Sequence, residues 1–191
     1  FARTRADDLL IHAIQSVLSA ADSTQQVNNN IDDIVVGCAM PEGPQGLNVA
    51  RISTLLAGLP DSTPAYTLNR FCSSGLQSVA NAAELVKSGS ADLVIAAGVE
   101  SMSSVPMMGF KPSVNPKVLE DENIAIAYGM GITAEKVVEK YNISREAQDE
   151  FAYNSHQKAI LANNNGLFEE EISPITTNET TYSLDSKEYE T

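Results

Sequence analysis

The run Ala65-Tyr66-Thr67-Leu68-Asn69-Arg70-Phe71-Cys72-Ser73-Ser74-Gly75-Leu76-Gln77 decides how this chain is read. Its first part carries β-prone aromatic and β-branched residues and predicts a short strand over Ala65–Leu68. Beyond Ser73 an Ala-rich apolar stretch predicts a helix over Ser74–Lys87, ended by Gly89. Cys72 stands at the junction, on what reads as the first turn of that helix. Unpaired backbone N–H groups and the positive end of the helix dipole favour a thiolate there. A cysteine so placed typically has its pKa lowered from about 8.5 into the range of roughly 3.5–7.5. It becomes a nucleophile near neutral pH, and the same N–H groups suit a developing oxyanion. A buried structural thiol is the commoner fate of the residue type. Position alone leaves both readings of Cys72 open.

Outward from this run the pattern repeats. Leu10, Ile11, Ile14, Val17 and Leu18 fall at helical spacing, with Asp7 and Asp8 in the first turn. Gln25–Asn30 reads as a polar loop and Ile34–Ala39 as a buried strand ending at Pro41-Glu42-Gly43-Pro44. Asn48–Ala57 is helical, stopped by Gly58 and Pro60. The continuous apolar run Leu93–Ala97 fits a strand covered on both faces, as in a parallel sheet. The order β-α-β-α-β predicts a layered α/β core with right-handed crossovers. On the helix after Cys72 the polar residues Gln77, Asn81, Glu84 and Ser88 form one narrow stripe. The rest is apolar, so the helix is expected to be central and mostly buried, with Cys72 deep in the molecule.

After Gly98 the character changes. Ser101–Asn123 is irregular, with Pro106, Pro112, Pro116 and a cluster of Met102, Met107 and Met108. Such long loops are usually functional or disordered, and flexible methionines suit a ligand-facing lining and plain core filler equally. One helix follows over Thr133–Lys140, and another runs from the N-cap Ser144 to Asn163-Asn164-Asn165-Gly166. Residues 176–191 are polar.

The charge balance narrows the classes. Lys and Arg number 12 against 25 Asp and Glu, a net charge of −13. This argues against a nucleic-acid partner and against attraction to an anionic membrane surface. A site for an anionic ligand must then be locally basic or built from backbone N–H groups. No apolar run approaches the roughly 18 residues of a membrane span, and Phe1–Arg5 leads straight into a helical pattern with no signal peptide visible. Cys38 and Cys72, in different contexts, suggest a reducing compartment. Cys38 ends an apolar strand and reads as an inert core thiol. His12 and His156 read as solvated surface residues, and the spacing offers no metal site. Glu100 follows a strand at the end of a sheet where ligands tend to bind, though a structural hydrogen-bonding role fits as well. Glu169-Glu170-Glu171 reads as a solvated loop.

The segment Asn69-Arg70-Phe71-Cys72-Ser73-Ser74-Gly75-Leu76-Gln77 resembles the nucleophile segment of the thiolases, which transfer acyl groups between a cysteine and coenzyme A. Gly98-Val99-Glu100-Ser101-Met102-Ser103 resembles the family segment after the next strand. Gly37–Gly43, followed by Gln45–Arg51, resembles an earlier one. Met130–Glu135 and Ile143–Ala152 resemble segments further along, so the similarity runs in family order from about Ala6 to about Pro174.

The resemblance implies an α/β thiolase fold, layered α-β-α with a mixed, mainly parallel sheet, plus part of an inserted loop domain. It divides the chain into residues 1–100, the N-terminal core without its first strand, and 101–191, an incomplete loop domain, with the C-terminal half absent. It implies that Cys72 attacks the keto carbon of a 3-ketoacyl-CoA, acetyl-CoA leaves, and coenzyme A removes the acyl group from sulfur. The Cys72 backbone N–H would contribute to one oxyanion hole, and Met130 matches a family position near the reacting thioester. Coenzyme A is then a substrate, and no cofactor is permanently bound. Gly129 lies where many biosynthetic thiolases carry a His. That departure, Ser73 in place of Gly, and the Val105-Pro106 to Asn115-Pro116 segment point to the degradative type of fatty-acid β-oxidation. The nearest alternative is a biosynthetic, acetoacetyl-CoA-forming thiolase. From other classes, a noncatalytic thiolase-like binding protein or an inactive fragment stays open, while a Cys-His hydrolase is disfavoured because no His has a suitable context. The family's catalytic His and second Cys lie on later loops, and neither His12 nor His156 matches them. Expected partners are acyl-CoA, a second or further copies of the chain as homodimer or homotetramer, and a β-oxidation multienzyme partner. The expected compartment is the bacterial cytoplasm, or the mitochondrion or peroxisome of a eukaryote.

Overall fold

The computed structural model describes residues 1, 3–21 and 30–177, together with the backbone of 181–182 and 189–190. Most of the loop read over Gln25–Asn30 lies outside the described residues. The chain divides into two compact units, Phe1–Pro112 with Ser173–Thr191, and Ser113–Ile172.

In the first unit α1 (Ala6–Ala21) leads to β1 (Asp33–Gly37), α2 (Val49–Leu56), β2 (Ala65–Leu68), α3 (Ser74–Lys87) and β3 (Val94–Gly98). The three strands form a parallel sheet in the order β2-β1-β3, with Ile34 opposite Ala65 and Ile95. This is the expected α/β construction. A backbone pair, β4 (Thr181–Tyr182) with β5 (Tyr189–Glu190), is antiparallel.

Alternation along β1 sends its side chains to two different layers. Ile34, Val36 and Cys38 join Leu10, Ile14 and Leu18 of α1 and Val49 and Ala50 of α2 in one apolar cluster. Leu10, Ile14 and Leu18 recur every four residues, the spacing that keeps one helical stripe against the sheet. Burying each such side chain contributes roughly 1.5–3 kcal/mol relative to exposure. At the start of α1, Asp7 is held by Arg5 through two hydrogen bonds of 2.9 and 2.7 Å. Asn48 caps α2, its Oδ1 accepting from the Arg51 N–H.

The other face of the sheet carries Val35 and Gly37 and receives α3. A Cβ on Gly37 would collide with the Ser74 carbonyl and lie 2.7 Å from the Gly75 nitrogen. A Cβ on Gly98 would come within 3.7 Å of the Gly75 Cα. The first turn of α3 therefore rests directly on the end of β1, a distance that a side chain at Gly37 would not permit, whereas a Cβ at Gly98 would meet α3 at ordinary contact distance.

Two expectations are corrected here. The strand buried on both faces is β1, whose Ile34, Val35 and Val36 are fully buried, not the run Leu93–Ala97. β3 stands at the sheet edge and is only half-buried, beside an open apolar groove of about 440 Å³ lined by Ile14, Val17, Leu18, Ile31 and Ile95 among others. Likewise α3 is not mostly buried. Only Ser74, Ser78 and Ala82 are covered, at the four-residue spacing of the face on the sheet. Leu76, Val79 and Val86 are exposed, Leu76 at 74%. The polar stripe is divided: Gln77 and Asn81 are half-buried, with Asn81 donating to the Tyr66 hydroxyl at 3.1 Å, while Glu84 and Ser88 face solvent. An apolar helix is buried only where some element lies against it, and among the described residues of this unit that element is the sheet.

The second unit contains the three-ten turns Pro116–Leu119 and Ile124–Ala127, then α4 (Met130–Tyr141) and α5 (Arg145–Asn164). Asn142 ends α4 in the left-handed conformation, and Ser144 caps α5 by accepting from the Ala147 N–H. None of its helical residues is buried.

Gly37→Ala is expected to lower the unfolding free energy by about 1–3 kcal/mol through overpacking. Gly75→Ala points its methyl into open space and should be neutral or stabilise by roughly 0.5–1 kcal/mol. Urea denaturation of the two variants checks the contrast, and equal midpoints would refute the close approach.

Candidate active site

Cys72 sits in a tight turn between β2 and α3, and several contacts fix that turn. Asn69 folds back so that its Oδ1 accepts from the Phe71 N–H at 2.8 Å, an Asx turn. Its Nδ2 donates to the Ala39 carbonyl at 2.9 Å, tying the turn to the chain beyond β1. Ser74, almost fully buried, accepts from the Arg70 N–H at 2.9 Å and donates from Oγ to the Phe71 carbonyl at 2.6 Å. The Ser73 and Ser74 N–H groups close on the Arg70 and Phe71 carbonyls at 3.1 and 3.0 Å. Phe71 is held at φ +47°, in the left-handed region that non-glycine residues seldom occupy. Such conformations cost on the order of 1–3 kcal/mol and persist only where surrounding contacts impose them.

The thiol lies slightly off its expected place. α3 begins at Ser74 with Ser73 as its N-cap, so Cys72 precedes the cap and is not on the helix's first turn. The left-handed step at Phe71 turns the chain before the helix starts, and the Ser73 and Ser74 amides are already spent on that turn. Nor is Cys72 deep: it is a free, exposed thiol, because among the described residues of this unit nothing covers the N-terminus of α3. Among the described residues its own N–H makes no hydrogen bond of normal geometry.

Cys38 is its opposite. It is 1% exposed, its Sγ lies 3.9 Å from the Gln45 carbonyl, and burial together with the nearby Glu100 carboxylate pushes its pKa up to about 11. This agrees with the inert core thiol read from the sequence.

At the ends of β1 and β3 the Glu100 carboxylate accepts from the Ala39 N–H at 2.7 Å, from the Met40 N–H at 3.3 Å, and from the Gln45 side-chain amide. Gln45 is fully buried, donates to the Met40 carbonyl and accepts from the Ser101 N–H at 2.8 Å. Sequence reasoning missed Asn69, Ser74 and Gln45. An Asn two residues ahead of a turn was a readable sign for the first, whereas a Gln reaching across 55 residues leaves no local trace.

Met130 is the first residue of α4, follows the N-cap Gly129, and is 69% exposed. It belongs to the second unit and Cys72 to the first. His156 is exposed on α5, as read. His12 is not simply solvated, since its Nε2 lies 3.1 Å from the Ser173 hydroxyl and 3.4 Å from that of Ser16. Among the described residues no cluster of three or more His, Cys, Asp or Glu could hold a metal ion, and no helix is long and apolar enough to cross a membrane.

Residues 1–190 match the family model described as Thiolase, N-terminal domain. The chain belongs to the thiolase family. This thiolase chain is 47% identical over 189 residues to the 3-ketoacyl-CoA thiolase of Bacillus subtilis (strain 168), covering 99% of itself and 47% of that protein. It is 43% identical over 179 residues to 3-ketoacyl-CoA thiolase 1, peroxisomal, of Arabidopsis thaliana, covering 93% of itself and 39% of the relative. The 1.8 Å crystal structure of the dimeric peroxisomal thiolase of Saccharomyces cerevisiae superposes with a TM-score of 0.81 at 37% identity, over 93% of this chain and 46% of that one. The thiolase chain thus spans about half the length of the curated relatives it matches.

Alkylation at pH 7 is expected to label Cys72 and spare Cys38, with peptide mass mapping as the readout; comparable labelling of both would contradict the burial of Cys38. Alkaline stability supplies a second check. The Cys38 thiol titrates near 9.0 when unfolded and near 11 when folded, so the native state holds its proton longer. Its contribution is complete below pH 9 and is lost as pH rises through about 11. The drop in urea midpoint across that window should shrink in Cys38→Ala.

Proposed function

We propose that this chain is the nucleophile-bearing half of a 3-ketoacyl-CoA thiolase. The observation that carries the reading is Cys72, an exposed thiol on a turn that its neighbours hold in a costly backbone conformation. The names of the relatives support the substrate class. In this reading the Cys72 thiolate attacks the keto carbon of a 3-ketoacyl-CoA. The bond between that carbon and the adjacent CH₂ breaks, and the departing carbon takes a proton to leave as acetyl-CoA. The acyl group remains on sulfur as a thioester. The coenzyme A thiol then attacks its carbonyl, releasing an acyl-CoA two carbons shorter and restoring Cys72. The free Cys72 amide contributes to the oxyanion site. The proton-transferring His and second Cys come from residues outside this chain.

The full-length protein covers the apolar face of α3 with its second half and forms at least a dimer, as the yeast relative does by name. It works in the bacterial cytoplasm, or in a peroxisome or mitochondrion. In the full-length protein Cys72→Ser should reduce thiolysis of 3-ketoacyl-CoA by at least about a thousandfold, as removal of a covalent nucleophile does. Retention of activity in that variant would defeat the reading. Residues 1–191 alone should be inactive toward acetoacetyl-CoA and poorly soluble, because the exposed face of α3 promotes association. Thiolysis by this segment at the rate of intact enzymes would show that its catalytic base lies within it.

A further inference from the structure

We infer that Glu100 is a positioning residue for Cys72, acting through the Ala39–Met40 turn and Asn69. The inference rests on Cys72 being the nucleophile and adds a device that holds it.

A continuous set of contacts carries the argument. The two carboxylate oxygens of Glu100 receive the Ala39 and Met40 amides and the Gln45 side-chain amide. The bond at Ala39 is 2.7 Å, within the short range typical of hydrogen bonds to an ionised acceptor. No described cation pairs with Glu100, so its charge is met by neutral donors alone. Those bonds hold two successive peptides: the Ala39 amide closes the Cys38–Ala39 peptide, and the Met40 amide, at 3.3 Å, belongs to the same peptide plane as the Ala39 carbonyl. The Ala39 carbonyl then accepts the Asn69 Nδ2 at 2.9 Å, and the other end of the same amide accepts the Phe71 N–H at 2.8 Å. Phe71, at φ +47°, is the residue before the thiol.

An Asn side chain anchored only by the Phe71 amide could rotate, and the left-handed step it supports would relax toward a commoner backbone. Anchored at its other end by a peptide that Glu100 immobilises, it cannot. The strand ends in this corner are also bound directly, through Cys38 N–H to the Leu68 carbonyl and Val99 N–H to the Gly37 carbonyl, both 3.0 Å. Removing Glu100 therefore leaves the sheet in place and frees the turn. That separates positioning from a general structural role.

The test uses the full-length protein with Glu100→Ala, Glu100→Gln, Asn69→Ala and the Glu100→Ala/Asn69→Ala double variant. Thiolysis kinetics, the pH profile of Cys72 alkylation and the denaturation midpoint are measured for each. Glu100→Ala is expected to lower kcat roughly 10–100-fold with KM changed less than about threefold, as small misplacements of a reacting group do. Glu100→Gln can keep its one oxygen for the Met40 amide and the Gln45 side chain, the bonds that orient the Ala39 carbonyl, and should recover part of that loss. Asn69→Ala should reproduce the loss, and the double variant should be no worse than either single one, because both break the same path. The alkylation profile of Cys72 should change together with kcat in each variant. Additive losses, a loss confined to KM, or a loss of kcat with the alkylation profile unchanged would overturn the proposal. Loss of folding in Glu100→Gln would do the same, since it would make Glu100 a general support. If Cys72→Ser remains active, the functional reading fails first. If Cys72→Ser is inactive while the Glu100 variants match the wild type, only the positioning role fails.

Discussion

The rest of the structure depends on how closely α3 approaches the sheet. Gly37 and Gly98 end two neighbouring strands without side chains, and Ser74, Ser78 and Ala82 present only small groups in return. The helix axis is thereby set low over the carboxyl ends of β1 and β3. The chain leaving β2 crosses to the start of α3 on the neighbouring strands within Asn69–Ser73. That short connection includes a left-handed residue, Phe71, held there by the Asn69 and Ser74 side chains, whose bonds offset its cost.

The two cysteines show how little of thiol chemistry is decided by the residue itself. Cys38 stands on the apolar-cluster face of β1, out of water and near a carboxylate, and both influences disfavour its anion. Cys72 stands outside that cluster on the carboxyl side of the sheet, the side where open α/β sheets receive ligands. Glu100 touches both stories. It raises the barrier to ionising one thiol and, through a peptide and an amide, holds the backbone beside the other.

Much of this was legible in the chain. The ends of β2 and α3 fall where the sequence put them, because a strand of β-prone residues, a Ser-Ser junction and a closing Gly89 are local signals. The α/β class followed from the order of elements, and the silence of Cys38 from its apolar neighbours. What escaped notice was settled by distant contacts. Whether Leu76 and Val79 meet protein or water depends on what lies opposite α3, not on α3. The edge position of β3 depends on strand order, which an apolar run cannot encode. The one-residue displacement of Cys72 ahead of the cap arises from a φ angle that Phe71 would not choose alone. Gln45 and Glu100 meet across 55 residues, and neither flank announces the other.

The left-handed step at Phe71 also sets which sequences this turn tolerates. Glycine, asparagine and aspartate adopt that conformation at little cost, while valine, isoleucine and threonine resist it because a branched Cβ crowds the backbone. A glycine there would relieve the folded state of its strain and at the same time widen the range of directions open to the thiol. Stability and alignment are thus drawn in opposite directions at a single position. Drift toward a more comfortable residue would loosen the site before it harmed the fold.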